Sequence, residues 1–329
     1  MLEQFDRELE LLTVVAPLYD EEETVRDFHR RLSAALADFE HEIVLIDDGS
    51  GDDTPRLLRE IAAADRRVRV ITLSRNFGHQ AALTAGLDHA RGNVVVMIDA
   101  DLQDPPELIP QMVEQWANGS DVVYAVRRER LGESRAKLAT ARWFYGIFGK
   151  LAQIEFKQNA GDFRLLDRAA WEALGSMRER SRFLRGMTVW VGFRQSAIEY
   201  ERDPRFAGRT KFSLRRRLRF SFDALTSFSN VPLQMATLLG FVFSLIAFLG
   251  IPVALAMKFA GLYVSGIASV LLAVLLLGGV QLIAIGIIGE YLGRVYDEVK
   301  RRPLYVVSDR LEGSATRHEL DHASETQRR

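Results

Sequence analysis

The order of apolar segments predicts a doubly wound α/β domain followed by a pair of membrane helices. Three observations carry that expectation. Short runs rich in Val and Ile recur through the first 126 residues, stretches of helical period lie between them, and two long uncharged runs follow residue 223.

The apolar runs are Leu11–Ala16, Ile43–Ile46, Val68–Leu73, Val94–Ile98 and Val122–Val126. They are continuous rather than alternating, the pattern of strands covered on both faces of a parallel sheet. Helical periodicity fills roughly 21–39, 54–64, 79–90 and 107–118. In such sheets ligands sit beyond the carboxyl ends of the strands. Attention therefore falls on Pro17-Leu18-Tyr19-Asp20-Glu21, Asp47-Asp48-Gly49-Ser50, Ser74-Arg75-Asn76 and Asp99-Ala100-Asp101.

Charge is balanced overall, at −1, but unevenly placed: residues 201–220 carry eight Lys or Arg against two acids, whereas 224–257 and 259–289 carry no charge. The apolar stretch Leu233–Met257 would span about 37 Å as a helix, more than a bilayer core of about 30 Å. The second run, Phe259–Gly289, is longer. Arg215, Arg216, Arg217 and Arg219 precede the pair, Lys300, Arg301 and Arg302 follow it, and the connector offers Lys258. By the positive-inside rule the pair is a hairpin with both ends cytoplasmic. The expected layout is a catalytic domain over 1–212, a juxtamembrane amphipathic helix over 213–231, a two-helix transmembrane hairpin over 232–290 and a cytoplasmic segment over 291–329, mobile after Ser308. The first residues, MLEQFDRELELL, lack the basic-then-apolar plan of a signal peptide. The catalytic domain is accordingly expected on the cytoplasmic face of the inner membrane. Cysteine is absent, which excludes disulfides, thiol nucleophiles and cysteine metal ligands.

Asp99, Asp101 and Gln103 alternate after a strand, which would turn three oxygen-bearing side chains to one side. Such a set suits a hard divalent cation, Mg²⁺ or Mn²⁺. The competing reading is a turn in which Asp99 and Asp101 cap the helix starting near Pro106. Asp47 and Asp48 follow a central strand, where an acidic pair can meet a base edge or a ribose hydroxyl or cap a helix. No G-x-G-x-x-G follows the first strand, and no G-x-x-x-x-G-K-[ST] occurs. Dinucleotide folds and P-loop enzymes are thereby disfavoured.

These four segments, with Phe77-Gly78 after Asn76 and Leu102-Gln103-Asp104-Pro105 after Asp101, resemble the family 2 glycosyltransferases of GT-A fold. The stretches Asn159–Leu165 and Glu201–Lys211 resemble the polyprenyl-phosphate glycosyltransferases, relatives of dolichol-phosphate mannose synthase with two C-terminal membrane helices. The resemblance runs from about residue 10 to 307, and departs at Asp20, where the family usually has Asn, and at Ala16, where it often has Ile. It implies that Pro17, Tyr19, Glu21 and Asp48 line the base and ribose, with Asp47, Arg75 and Asp99 also on the nucleotide-sugar. It implies that Asp99, Asp101 and Gln103 hold the metal on the diphosphate, with Asp101 and Asp162 catalytic and Asp162 beside the anomeric carbon. Arg127, Arg205 and Lys211 would meet phosphates of donor or acceptor, with Arg135 and Arg142 as weaker candidates. For each cation the alternative is a solvated face or anionic headgroups.

The implied partners are a nucleotide-sugar, UDP-glucose favoured, a polyisoprenyl (undecaprenyl) phosphate acceptor and membrane lipids, with no nucleic acid. Self-association into a homo-oligomer is a further expectation of paired membrane helices. A phosphate dianion needs little deprotonation, so positioning and charge compensation should dominate. Whether Asp162 acts as base or positioning group stays open in the sequence. A processive polysaccharide synthase would carry Q-x-x-R-W, but Ala139 stands where the Gln would precede Arg142-Trp143. A nucleotidyltransferase or a non-catalytic membrane-anchored subunit would not require this ordered acidic set.

Overall fold

The computed structural model describes residues 7–128, 160–201, 231–261 and 266–313. Within these, residues 7–128, 160–201 and 303–313 form one compact unit, and 231–261 with 266–302 form another. Arg135, Arg142, Arg205, Lys211 and the expected amphipathic helix lie outside the described residues.

The first unit is an eight-stranded sheet with helices on both faces. In chain order it contains Leu12–Leu18 (β1), Val25–Ala35 (α1), His41–Asp47 (β2), Thr54–Ala64 (α2), Val68–Leu73 (β3), His79–Asp88 (α3), Val94–Met97 (β4), Ile109–Ala117 (α4) and Val122–Arg127 (β5). Ala160–Asp167 (β6), Arg168–Ser176 (α5), Leu184–Trp190 (α6), Gln195–Tyr200 (β7) and, after the second unit, Val307–Glu312 (β8) complete it. The strand order is β7-β5-β6-β4-β1-β2-β3-β8, and β6 and β8 run antiparallel to the other strands. The chain winds outward from β1 through β2 to β3, then crosses to β4 on the other side of β1. In open α/β sheets such a reversal is where ligands bind, here at the carboxyl edge between β1 and β4.

The core follows from the sequence pattern. Every residue of β1, β2 and β4 is buried, which is why their centres read as apolar runs, with Thr13, His41, Glu42 and Asp47 as buried polar exceptions. α1 buries Val25, Phe28 and Leu32 at helical spacing, and α2 starts with Pro55 in its first turn and buries Leu57, Leu58, Ile61 and Ala62. The five expected strands and four expected helices all form, with α1 shorter than the periodic stretch that predicted it. A 3₁₀ turn, Pro106–Leu108, precedes α4, because Pro105, Pro106 and Pro110 delay the α-helical hydrogen bonds.

Three features depart from the sequence expectation. Residues 99–104 are not an extended segment: β4 ends at Met97, and the chain turns through Leu102 at φ +60°. Asp101 Oδ1 accepts the Gln103 N–H at 3.1 Å, so the aspartate builds the turn with its own side chain. Next, β6 and β7 occupy part of the region that looked irregular. β6 carries Asp162 and Arg164 in its middle, and β7 is a half-exposed edge, so neither shows a continuous apolar run. Finally, residues 309–312 are not a loose tail. They lie in β8, paired with β3 from Arg69↔Glu312 to Leu73↔Val307, with Leu311 packed on the core.

The second unit holds two long helices, Val231–Phe259 (α7) and Ile267–Val299 (α8), packed against each other. Within α8, Leu276–Val299 is long and apolar enough to cross a membrane. α7 contains a shorter apolar stretch, Ala236–Gly250.

Candidate active site

The carboxyl edge of the parallel strands gathers the loops after β1, β2, β3 and β4, the ends of β5 and β7, and the start of the antiparallel β6. Nearly every residue the sequence singled out within the described regions sits there.

At the β1–β2 side, Tyr19 is the exposed member of its motif, 42% accessible, whereas Pro17 is buried inside β1 opposite Ile46. Glu21 ties two helix starts: its N–H donates to Thr54 Oγ1 at 2.9 Å, and its carboxylate accepts the Thr24 hydroxyl at 2.8 Å. Asp20 adopts φ +53° and accepts the Gly51 N–H at 2.9 Å, which joins the β1 loop to the β2 loop.

Asp47 and Asp48 are both buried. Asp47 Oδ1 accepts the Ser50 N–H at 2.9 Å, and Oδ2 is buried with no hydrogen-bond partner among the described residues. Asp48 reaches the next loop, accepting the N–H of Phe77 at 2.7 Å and of Gly78 at 2.9 Å. Burial raises its pKa above the ordinary carboxylate value, against the pull of those two donors. The same loops touch at Gly49. It has φ +71°, and a Cβ there would lie 2.6 Å from the Arg75 carbonyl carbon, so glycine is required on both counts. Arg75 is exposed, stacks over Phe77 at 4.0 Å and donates to the Asn76 carbonyl at 2.9 Å.

In the turn after β4, Asp99 Oδ1 is a buried oxygen with no hydrogen-bond partner among the described residues. His79 Nε2, from the first residue of α3, lies 3.4 Å from it. Burial lifts Asp99 to about 6, opposed by His79 and reinforced by the neighbouring carboxylates. Gln103 is buried and Asp101 partly so. Two carboxylates and an amide oxygen are the donor chemistry of a hard cation that completes its shell with phosphate oxygens, and the orphaned Asp99 oxygen fits that use. Among the described residues no three His, Cys, Asp or Glu side chains stand close enough to enclose a metal by themselves.

Asp162, 3% accessible on β6, is the centre of a polar knot. Arg185 of α6 donates from Nε to Oδ1 at 2.7 Å and from Nη2 to Oδ2 at 2.8 Å. His79 Nε2 lies 3.3 Å from Oδ2, and Gln80 Nε2 donates to the same oxygen at 3.5 Å. Burial alone would raise the Asp162 pKa, but Arg185 and His79 outweigh it and hold the carboxyl well below the ordinary range. Burial pushes His79 down, and Asp99 and Asp162 together lift it to about 9. One imidazole therefore stands between the acidic turn and Asp162. Arg164 braces the knot from beneath. It is 3% accessible and donates to the Gly161 carbonyl at 3.2 Å, to the Arg185 carbonyl at 3.3 Å and to the Thr188 hydroxyl. Burial pulls its pKa down to about 10.

Arg127 ends β5. Its Nε donates to the Tyr200 hydroxyl at 3.0 Å, and its Nη2 lies 3.5 Å from Asp104 Oδ1. The Tyr200 hydroxyl donates to the same Asp104 oxygen.

The sequence reading missed His79, Gln80, Asp104, Arg164, Arg185 and Tyr200 as members of the site. The first two directly follow the Phe77-Gly78 motif, and Asp104 and Arg164 lie inside quoted motifs, so a local signal existed. Arg185 and Tyr200 sit on short elements with no local pattern, and only packing of α6 and β7 brings them in.

The chain matches the description "Glycosyl transferase family 2" over residues 13–175. It is 46% identical over 302 residues to an uncharacterized glycosyltransferase of Synechocystis sp., covering 91% of this chain and 95% of that one. It is 40% identical over 306 residues to the SfII prophage-derived bactoprenol glucosyl transferase of Shigella flexneri, covering 92% and 99%. Among solved structures, glucosyl-3-phosphoglycerate synthase from Mycobacterium tuberculosis, in complex with Mn²⁺, UDP and phosphoglyceric acid, aligns with 64% of this chain and 74% of its own. The TM-score is 0.45 and the identity 22%. With near full-length similarity to named glycosyltransferases, and with its acidic motifs gathered on one sheet edge, the chain belongs to glycosyl transferase family 2 and is a glycosyltransferase.

Proposed function

We propose that this glycosyltransferase moves a hexose, with UDP-glucose favoured, from a nucleotide-sugar to a polyisoprenyl phosphate at the cytoplasmic face of the inner membrane. The observation that supports the reading is the bridge from Asp99 through His79 to Asp162, which would bring a diphosphate held at the acidic turn close to a fixed carboxylate. The acceptor class rests on similarity across nearly the whole chain to a relative named bactoprenol glucosyl transferase.

Asp47, Asp48, Tyr19, Glu21, Pro17 and Arg75 form or shape the base and ribose side. Asp99, Asp101 and Gln103 would hold Mg²⁺ or Mn²⁺, which when bound neutralises charge on the departing diphosphate. Asp162 is held by two parallel bonds from Arg185 and stays ionised, which favours positioning and electrostatic roles over proton abstraction. The acceptor phosphate is largely dianionic at neutral pH and needs little help as a nucleophile. Direct attack at the anomeric carbon would invert its configuration. Arg127, with Arg205 and Lys211, would meet the acceptor phosphate.

The membrane reading is a two-helix hairpin. Its support is the exposed apolar surface of both helices: Phe241, Phe248 and Leu282 are each 72% accessible, a surface that lipid rather than water would cover. The chain leaves the first unit before α7, and β8 pairs with β3 after α8, as an even number of crossings requires.

The test is transfer by the full chain in detergent or membranes, from labelled UDP-glucose, UDP-N-acetylglucosamine and GDP-mannose, with and without undecaprenyl phosphate. The expected result is label in the organic phase from one donor, dependent on lipid phosphate. Label retained in polymer, or sugar released to water alone, would overturn the acceptor.

A further inference from the structure

Tyr200 has no counterpart among the motif residues, yet it sits where three functional segments leave the sheet. In the parallel register of β5 and β7, Arg127 and Tyr200 are partners and are the last residues of their strands. Beyond Arg127 begins the chain that leads to β6, and beyond Tyr200 the basic segment with Arg205 and Lys211. Asp104 closes the acidic turn that starts at Asp99. The Tyr200 hydroxyl joins all three: it donates to Asp104 Oδ1 and accepts from Arg127 Nε at 3.0 Å.

The surroundings make this a rigid joint. Asp104 is fully buried and Tyr200 is 5% accessible, with its ring edge-on to Phe163, the neighbour of Asp162, at 6.5 Å between centroids. The Arg127 guanidinium lies against β6, since a Cβ built on Gly161 would come 3.2 Å from Nη2. Gly161 directly precedes Asp162. Tyr200 and Asp104 engage the Nε and Nη2 side of the fork, and Nη1 lies on its other side. Arginine's planar fork gives that direction a meaning that an ammonium would not have.

We infer that Tyr200 is a positioning residue for transfer: through its hydroxyl it aims Arg127 at the acceptor phosphate and ties that arginine to the acidic turn. The inference rests on the polyprenyl-phosphate reading above and adds a residue to it. An aimed guanidinium should matter when the phosphate attacks and little for nucleotide binding.

Tyr200→Phe removes the hydroxyl and keeps the ring. Losing a hydrogen bond to a charged group should lower turnover, or raise the apparent KM for undecaprenyl phosphate, by about tenfold or more. UDP binding with Mn²⁺, read by calorimetry, should change less than about twofold on the same ground. Arg127→Lys, which keeps charge without the fork, should show the same kinetic pattern, and the double variant should be no worse than Arg127→Lys. Should Tyr200→Phe not fold, Arg127→Lys measured with the same two readouts decides the matter: wild-type acceptor kinetics overturn the inference. A shift in Tm with unchanged kinetics, a loss confined to UDP binding, or additive losses in the double variant would each overturn it as well. Wild-type protein that ignores undecaprenyl phosphate overturns the acceptor reading. Wild-type transfer with an unaffected Tyr200→Phe overturns the inference alone.

Discussion

Arg185 grips Asp162 with two parallel hydrogen bonds, Nε to Oδ1 at 2.7 Å and Nη2 to Oδ2 at 2.8 Å. Both carboxylate oxygens are thereby directed by one planar group, and the charge on Asp162 is kept by its partners rather than by solvent.

Asp162→Asn should cut turnover by about 10² while leaving donor binding intact, because the amide cannot accept both guanidinium bonds. The depressed pKa gives the sign of the pH dependence. A carboxyl held below its ordinary value is already ionised throughout about pH 5–8, so Asp162 contributes no acidic limb to the wild-type rate profile there. The variant should be slower at every pH in that window. A wild-type acidic limb that disappears in Asp162→Asn would instead identify Asp162 as a base.

Arg185→Lys separates charge from geometry. The single ammonium cannot reproduce the fork, and turnover should fall by about tenfold with little change in Tm. Wild-type turnover in this variant would show that charge alone suffices.

Chelation should abolish transfer, and Mg²⁺ or Mn²⁺ should restore it. Asp101→Ala should lose activity with an unchanged circular dichroism spectrum, and UDP binding measured by calorimetry should lose its metal dependence. Full turnover by protein confirmed as metal-free would remove Asp99, Asp101 and Gln103 from a ligand role.

Gly49→Ala should destabilise the protein by about 1–2 kcal/mol from the left-handed backbone alone, with the contact to Arg75 adding to it. The donor KM should rise as the β2 and β3 loops separate. Thermal unfolding in detergent and donor titration check the two halves of this expectation.

Topology can be read on a chain that has no native cysteine. Cysteines placed at Lys258 and Arg310 should label oppositely with an impermeant thiol reagent applied to intact cells. Position 310 is exposed on β8, in the same sheet as the acidic turn, so it should stay protected until cells are opened. Labelling of position 310 from outside would reverse the orientation.

Much of this protein was legible in its sequence. Strands covered on both faces carry apolar residues along their centres, so β1 to β5 announced themselves, and the loops after them could be read as the ligand edge from chain order alone. Uncharged runs long enough for a bilayer predicted the long helices in the same way. Side-chain direction was another matter. Asp99, Asp101 and Gln103 looked like an extended alternation, but the Asp101 side chain folds that segment into a turn through Leu102. Asp48 could be read as a base or ribose contact or as a cap, and only the structure shows that its carboxylate also holds the backbone of Phe77 and Gly78. β8 looked like solvated tail because an edge strand with one packed residue, Leu311, needs no apolar run. Arg185 and Tyr200 gave no local sign at all. A hydrogen bond between residues 23 or 96 positions apart leaves no period in the chain, and only the packing of α6 and β7 against β6 and β5 decides that it forms.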